Sequence, residues 1–213
     1  MSDSPRIVSV VEGEGEQAAV PRLIQSIGAQ LDPPLHPDAW TTVLTRRDAF
    51  PRLGYERVRA LREAEDAAGP RGTILVLLDS DGEPPCRHAL HGASPCLLGD
   101  DLQAEIERLV ENIPVSVVFA HRMYEAWLLA ACESLAEYPL YRPEMPASVD
   151  PEGEEDPKAV LSQWMRPGEK FKPTRDQVRL TARMDIQVAR QRSPSFDRCY
   201  QEIERLIRVV CQT

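Results

Sequence analysis

Two continuous apolar runs, each ending in an acidic corner that holds glycine, most constrain how this chain folds. The first, Ile7-Val8-Ser9-Val10-Val11, runs into Glu12-Gly13-Glu14-Gly15-Glu16. The second, Thr73-Ile74-Leu75-Val76-Leu77-Leu78, runs into Asp79-Ser80-Asp81-Gly82. A short apolar run without alternation marks a strand buried on both faces, the condition of a parallel sheet covered by helices. In an open α/β sheet, ligands bind in the crevice at the carboxyl ends of the strands. Carboxylates from two strand ends can converge there. Their repulsion is relieved by a cation, and a hard divalent ion takes oxygen ligands.

The rest of the pattern extends the alternation. Val20, Leu23, Ile24, Ile27 and Leu31 follow at helical spacing, with Pro21 expected in the first helical turn. Prolines 33, 34 and 37 break the chain, residues 40–45 read as a second strand, and Leu53, Val58, Leu61 and Ala64 as a helix ending near Gly69-Pro70. Residues 73–78 form a third strand and 83–100 a loop rich in Pro, Gly, His and Cys. Asp100 or Asp101 is expected to cap a helix carrying Leu102, Ile106, Leu109 and Ile113, stopped by Pro114. Residues 115–119 form a fourth strand, feeding a helix with Met123, Ala126, Trp127, Ala130 and Ala131.

Four strand–helix repeats predict an α/β domain over residues 1–138, its sheet mostly parallel with helices on both faces. Residues 139–156 read as an acidic, proline-rich linker or loop. Residues 157–213 read as a helical C-terminal extension packing on the first domain. Its first helix, 157–165, has Asp156 as cap and Pro157 in first position. A second is capped by Thr174 and reaches about 190. A third carries Phe196, Tyr200, Ile203, Leu206, Ile207 and Val210 on one face.

The net charge of −9 argues against a general nucleic-acid binder, but the charge is divided. Residues 1–157 hold 13 basic and 28 acidic side chains, net −15; residues 158–213 hold 12 and 6, net +6. The acid lies with the carboxylate corners. The basic tail suits either a phosphate backbone or neutralisation of its own domain. No apolar stretch approaches the ~20 residues of a membrane helix, and the start lacks a signal-peptide pattern. The expectation is a cytoplasmic protein with no membrane partner. Five widely spaced cysteines give no disulfide framework. Cys132 and Cys199 are expected to be small buried residues. Cys86, His88, His91 and Cys96 lack a standard zinc spacing.

Glu12 stands at the expected end of the first strand, and Gly13 and Gly15 are expected to let the backbone turn sharply. The corner matches neither GxxxxGK[ST] nor GxGxxG. Glu14 and Glu16 also suit a helix N-terminus. Asp79 and Asp81, two residues apart at a strand end, point the same way and reach one site. An Asx-turn would use the same residues.

This combination resembles the TOPRIM domain of primases, topoisomerases and OLD-type nucleases. There, an apolar strand ends in Glu-Gly-x-x-Asp/Glu and a later one in Asp-x-Asp. The wording of the chain is closer to a bacterial family of unknown function with a TOPRIM-like fold, often encoded beside AAA/ABC-type ATPases. The residues that carry this likeness are Val11-Glu12-Gly13, Arg122-Met123-Tyr124-Glu125-Ala126-Trp127-Leu128-Leu129-Ala130 and Ser193-Pro194-Ser195-Phe196. The resemblance implies that Glu12 does proton chemistry or binds metal, and that Asp79 and Asp81 bind Mg²⁺ or Mn²⁺. Glu16, one helical turn on, and Glu125, after the fourth strand, are further carboxylates for that metal. OLD-type nucleases add a basic residue beyond this core, for which Lys158, Lys172 and Arg175 are the candidates. Gly15 departs from the usual neighbour of the second acidic position. No primase zinc domain or topoisomerase tyrosine domain is visible.

The function implied is a metal-dependent nuclease acting on nucleic acid, DNA before RNA, partnered with an ATPase in phage defence. The oligomeric state stays open. A phosphoacceptor receiver domain would need a lysine after its fifth strand, and residues 1–157 contain none. The stronger alternative is a non-catalytic subunit docking on an ATPase through Trp164, Phe171 and Phe196, residues that suit a local core equally well.

Overall fold

The strand runs divide their side chains by parity, as a pleated strand must. In a computed structural model of the chain, which describes residues 6–45, 54–80, 96–110, 113–141 and 150–212, the strands are β1 (Ile7–Val11), β2 (Thr42–Leu44), β3 (Thr73–Asp79) and β4 (Val115–Ala120). Ile7, Val11, Leu75, Leu77, Val118 and Ala120 enter one core. Val8, Val10, Ile74, Val76, Val115 and Val117 enter the other. All four strands are parallel, in the order β2-β1-β3-β4. The expected α/β architecture is therefore present.

Helices cover both faces. On one side lie α1 (Glu14–Gln30), α4 (Tyr124–Ala130), the short α5 (Cys132–Leu135) and the C-terminal helices. On the other lie α2 (Tyr55–Ala68) and α3 (Cys96–Leu109). Because α1 and α3 leave β1 and β3 toward opposite faces, a crevice opens between these neighbouring strands at their carboxyl ends. That is the topological switch point of an open sheet.

The C-terminal region is built into the first core. It comprises α6 (Pro157–Trp164), α7 (Pro173–Thr181), α8 (Ile186–Arg192) and α9 (Pro194–Gln212). Phe196, Cys199, Tyr200, Ile203, Leu206, Ile207 and Val210 of α9 are buried as one stripe against β4 and α1. Ser193 caps α9 by accepting from the Phe196 N–H at 3.1 Å. Asp156 caps α6 as expected, accepting from the Ala159 N–H at 2.9 Å, with Pro157 behind it.

Several local expectations need correction. Pro21 lies inside α1, not in its first turn. Its missing N–H leaves the Gln17 carbonyl without a helical donor, at an exposed position that water can reach. α3 starts at Cys96, ahead of both proposed caps. Thr174 does not cap α7, which begins at Pro173; nor does one helix reach residue 190. The chain turns after Thr181, and Asp185 caps a separate α8 by accepting from Gln187 and Val188. Val58 is exposed on α2, whose buried face uses Arg57, Ala60, Leu61, Ala64 and Ala68. Asp81, Cys86, His88 and His91 lie outside the described residues, as do residues 142–149 of the acidic linker.

Candidate functional site

The carboxyl edge of the sheet carries a cleft of about 390 Å³, lined by Glu12, Gly13, Glu14, Gly15, Glu16, Asp79, Lys158, Pro173 and Thr174. Three parts of the sequence build it. The β1–α1 corner brings Glu12 and Glu16, the end of β3 brings Asp79, and the C-terminal region brings Lys158 and the first turn of α7. Of the expected site residues, Glu12, Glu16, Asp79 and Lys158 thus meet around one opening.

The two glycines of the corner leave space for neighbouring side chains. Gly13 is extended, with φ of −113°, so it needs no conformation denied to other residues. A Cβ on it would run into the carboxylate of Glu16. A Cβ on Gly15 would run into the Gln177 side chain and Pro173. The spacing Gly-x-Gly therefore admits one carboxylate and one helix where the chain passes from β1 into α1.

Behind the cleft wall lies a buried polar network. Gln177, fully buried on α7, donates its Nε2 to Glu16 Oε1 at 2.8 Å and to Glu125 Oε1 at 2.9 Å. Glu125 is also fully buried, at the second position of α4. Its Oε2 has no hydrogen-bond partner and lies 3.7 Å from Lys158 Nζ. Burial pushes the Glu125 carboxyl up to about 8; Lys158 opposes this, while the charges of Asp79 and Glu16 add to it. Asp79 Oδ1 accepts from the Tyr124 N–H at 2.9 Å, closing the N-terminus of α4 from another strand. Next to it, Ser80 Oγ meets His121 Nδ1 at 3.0 Å, tying the ends of β3 and β4.

The cleft offers carboxylate oxygens, the donors a hard divalent ion takes. The orphaned Glu125 Oε2 fits the same chemistry. Among the described residues, no three His, Cys, Asp or Glu side chains stand close enough together to hold an ion as they are.

Several basic side chains of the tail pair with the tail's own carboxylates. Arg190 pairs with Asp197, Arg198 and Arg205 with Glu202, and Arg208 with Glu204. Arg175 is held by Asp176 and Glu169. Lys172 has an exposed side chain at the start of α7, next to cleft-lining Pro173 and Thr174, and its backbone N–H donates to Asp176. Of the three basic candidates, only Lys158 lines the cleft.

Sequence reasoning missed Gln177. The available signal was a polar side chain three residues before the buried Leu180, on the inward stripe of α7. It also grouped motifs that play separate parts. Trp127 donates its indole N–H to Ser195 Oγ at 2.9 Å, and its ring meets Phe196 edge-on at 5.3 Å. The two later motifs thus form one packing unit, and of their residues Glu125 and the Tyr124 backbone N–H join the polar network. Trp164, Phe171 and Phe196 are all buried in the core, so they offer no docking surface.

No helix among the described residues is long and apolar enough to cross a membrane. No curated protein and no solved structure matches the chain. The sequence pattern of one family does match, over residues 11–204, and so takes in the β1–α1 corner, the end of β3, α4 and α7 alike; the chain belongs to the DUF4276 family, a domain of unknown function.

Proposed function

We propose that the chain is a metal-dependent phosphodiesterase that cuts nucleic acid. The observation that carries this reading is the meeting of Glu12, Glu16 and Asp79 with Lys158 and the N-terminus of α1 around one cleft. Carboxylates suit a cation, while an ammonium group and a helix N-terminus suit an anion. A cleft that offers both suits a phosphate group bound together with its metal ion. Glu12, Glu16 and Asp79 are the residues to hold Mg²⁺ or Mn²⁺, and the resemblance adds Asp81 to them. A bound ion of this kind supplies Lewis acidity and lowers the pKa of water. Glu12, at the mouth of the corner, assists proton transfer. Lys158, 3.7 Å from Glu125 Oε2 behind the wall, offers its ammonium group to the phosphate in front. The TOPRIM-like resemblance supports the same assignment of Glu12 and Asp79. Partnership with an AAA/ABC-type ATPase in defence rests on the resemblance alone.

The test is cleavage of single- and double-stranded DNA and of RNA by the purified chain in Mn²⁺, with and without ATP and any AAA/ABC-type ATPase encoded beside it. Glu12→Gln and Asp79→Asn are each expected to lower the rate by about 10²-fold or more. Unchanged cleavage and unchanged cellular protection in both variants would show that the carboxylates are not catalytic.

A further inference from the structure

Gln177 has no part in the ligand set just described, yet it touches two of the site's carboxylates at once. Its Nε2 reaches Glu16 on α1 at 2.8 Å and Glu125 on α4 at 2.9 Å. Its own Oε1 is buried without a partner and occupies the space over Gly15. A buried amide with an unpaired carbonyl is costly. A methionine would fill the same volume without that cost. What the amide adds is a pair of N–H donors aimed at two carboxyl groups on different helices.

The contact also sorts the oxygens. The inner oxygen of Glu16 is bound to Gln177, and its other oxygen, Oε2, lies over Gly13 on the cleft wall. The inner oxygen of Glu125 is bound likewise, and its Oε2 is left toward Lys158. We propose that Gln177 is the positioning residue of the cleft: it holds the inner oxygen of Glu16, leaves Glu16 Oε2 over Gly13 for a divalent ion, ties this arrangement to Glu125 on α4 through its second bond, and so makes ion binding depend on α7 being docked. The inference rests on the reading of the cleft as a Mg²⁺ or Mn²⁺ site and deepens it. It adds a regulatory consequence: whatever displaces α7 releases both carboxylates and weakens the ion.

Mn²⁺ binding to the full chain, followed by the loss of the free-ion electron paramagnetic resonance signal, tests this without any substrate. Outer-shell partners of metal ligands typically contribute 10–100-fold in affinity, so Gln177→Met is expected to raise the Mn²⁺ Kd by that factor. Gln177→Asn keeps the amide but is one methylene short, and is expected to weaken binding in the same direction. It decides the matter if Gln177→Met does not fold. Val178→Ala, a neighbour on α7 packed against the core, controls for loosening of the helix and is expected to stay within twofold. Wild-type chain that binds Mn²⁺ with the same Kd as the Gln177 variants overturns this inference alone. So does a Val178→Ala loss as large as theirs. Wild-type chain that binds no Mn²⁺ overturns both the inference and the metal reading beneath it.

Discussion

Asp176 and Glu125 are both fully buried carboxylates near helix N-termini, and the protein treats them in opposite ways. Asp176 receives Arg175 Nε at 2.7 Å and Nη2 at 2.9 Å, the Lys172 N–H at 2.8 Å and the Tyr138 hydroxyl at 2.7 Å. Burial alone would raise its pKa. The Arg175, Lys172 and Tyr138 hydrogen bonds outweigh it and hold the carboxyl below its ordinary range. Glu125 receives one amide N–H and a lysine at 3.7 Å, keeps an orphaned oxygen, and is pushed up to about 8. Burial is common to the two; compensation differs. A saturated carboxylate serves the fold, whereas an under-compensated one beside a cleft is a candidate for chemistry. Asp176 and Gln177 are adjacent on α7, so one turn of helix is anchored by the first environment and completes the second.

The largest test of this contrast removes the saturated group. Asp176→Ala strands the Tyr138 hydroxyl, the Lys172 N–H and the Arg175 guanidinium, and breaking such a buried pair costs about 3–5 kcal/mol. Urea unfolding at pH 7 measures it. Because the folded pKa is depressed, the stabilisation is present above the ordinary carboxylate value and lost as pH falls through the folded one. The variant should therefore lack part of the wild type's acid limb. A cost under 1 kcal/mol would erase the distinction.

Glu125→Gln tests the other side. With a folded pKa near 8 against 4.5 unfolded, the protonated form favours the fold. Its contribution is full below about pH 4.5, declines as pH rises, and is gone above about 8. In EDTA the wild type should lose about 3–4 kcal/mol between pH 5 and 8, the slope never exceeding about 1.4 kcal/mol per pH unit. Glu125→Gln, which cannot titrate, should be flat across that window and the more stable protein at pH 8.5. Parallel curves would mean that Glu125 is as well compensated as Asp176.

What the sequence made legible, and what it hid, follows the range of the contacts. The strands at 7–11 and 73–79 announce themselves through unbroken apolar runs, and the acidic corners sit at their ends, so Glu12, Glu16 and Asp79 are readable from local pattern. The stripe on α9 is equally local. The start of α3 was hidden because residues before it carry turn formers that mask its first turn. The break between α7 and α8 was hidden because Thr174 looks like a cap while Pro173, just before it, takes the first helical position. The Glu16–Gln177 contact spans 161 residues, and nothing near either residue encodes the other. Gly13 and Gly15 pointed to the right corner, where they leave room for Glu16, three residues on, and for Gln177 and Pro173 of α7.

The smallest effect sharpens the comparison most finely, because Asp79 belongs to both kinds of carboxylate. One oxygen caps α4 through the Tyr124 N–H, a structural duty like those of Asp176. The side chain also lines the cleft, and its charge helps to raise the Glu125 pKa. The two duties separate by substitution. Asp79→Ala removes cap and charge and should cost about 1 kcal/mol, the usual value of a lost N-cap. Asp79→Asn keeps a cap oxygen and should cost only a few tenths. With the charge gone in either variant, Glu125 ionises more readily, so its pH–stability curve should level off below pH 8. Stability curves for the two variants in EDTA decide it. If the levelling point stays at the wild-type pH in both, the Asp79 charge is not felt at Glu125, and the buried network and the cleft are electrostatically separate.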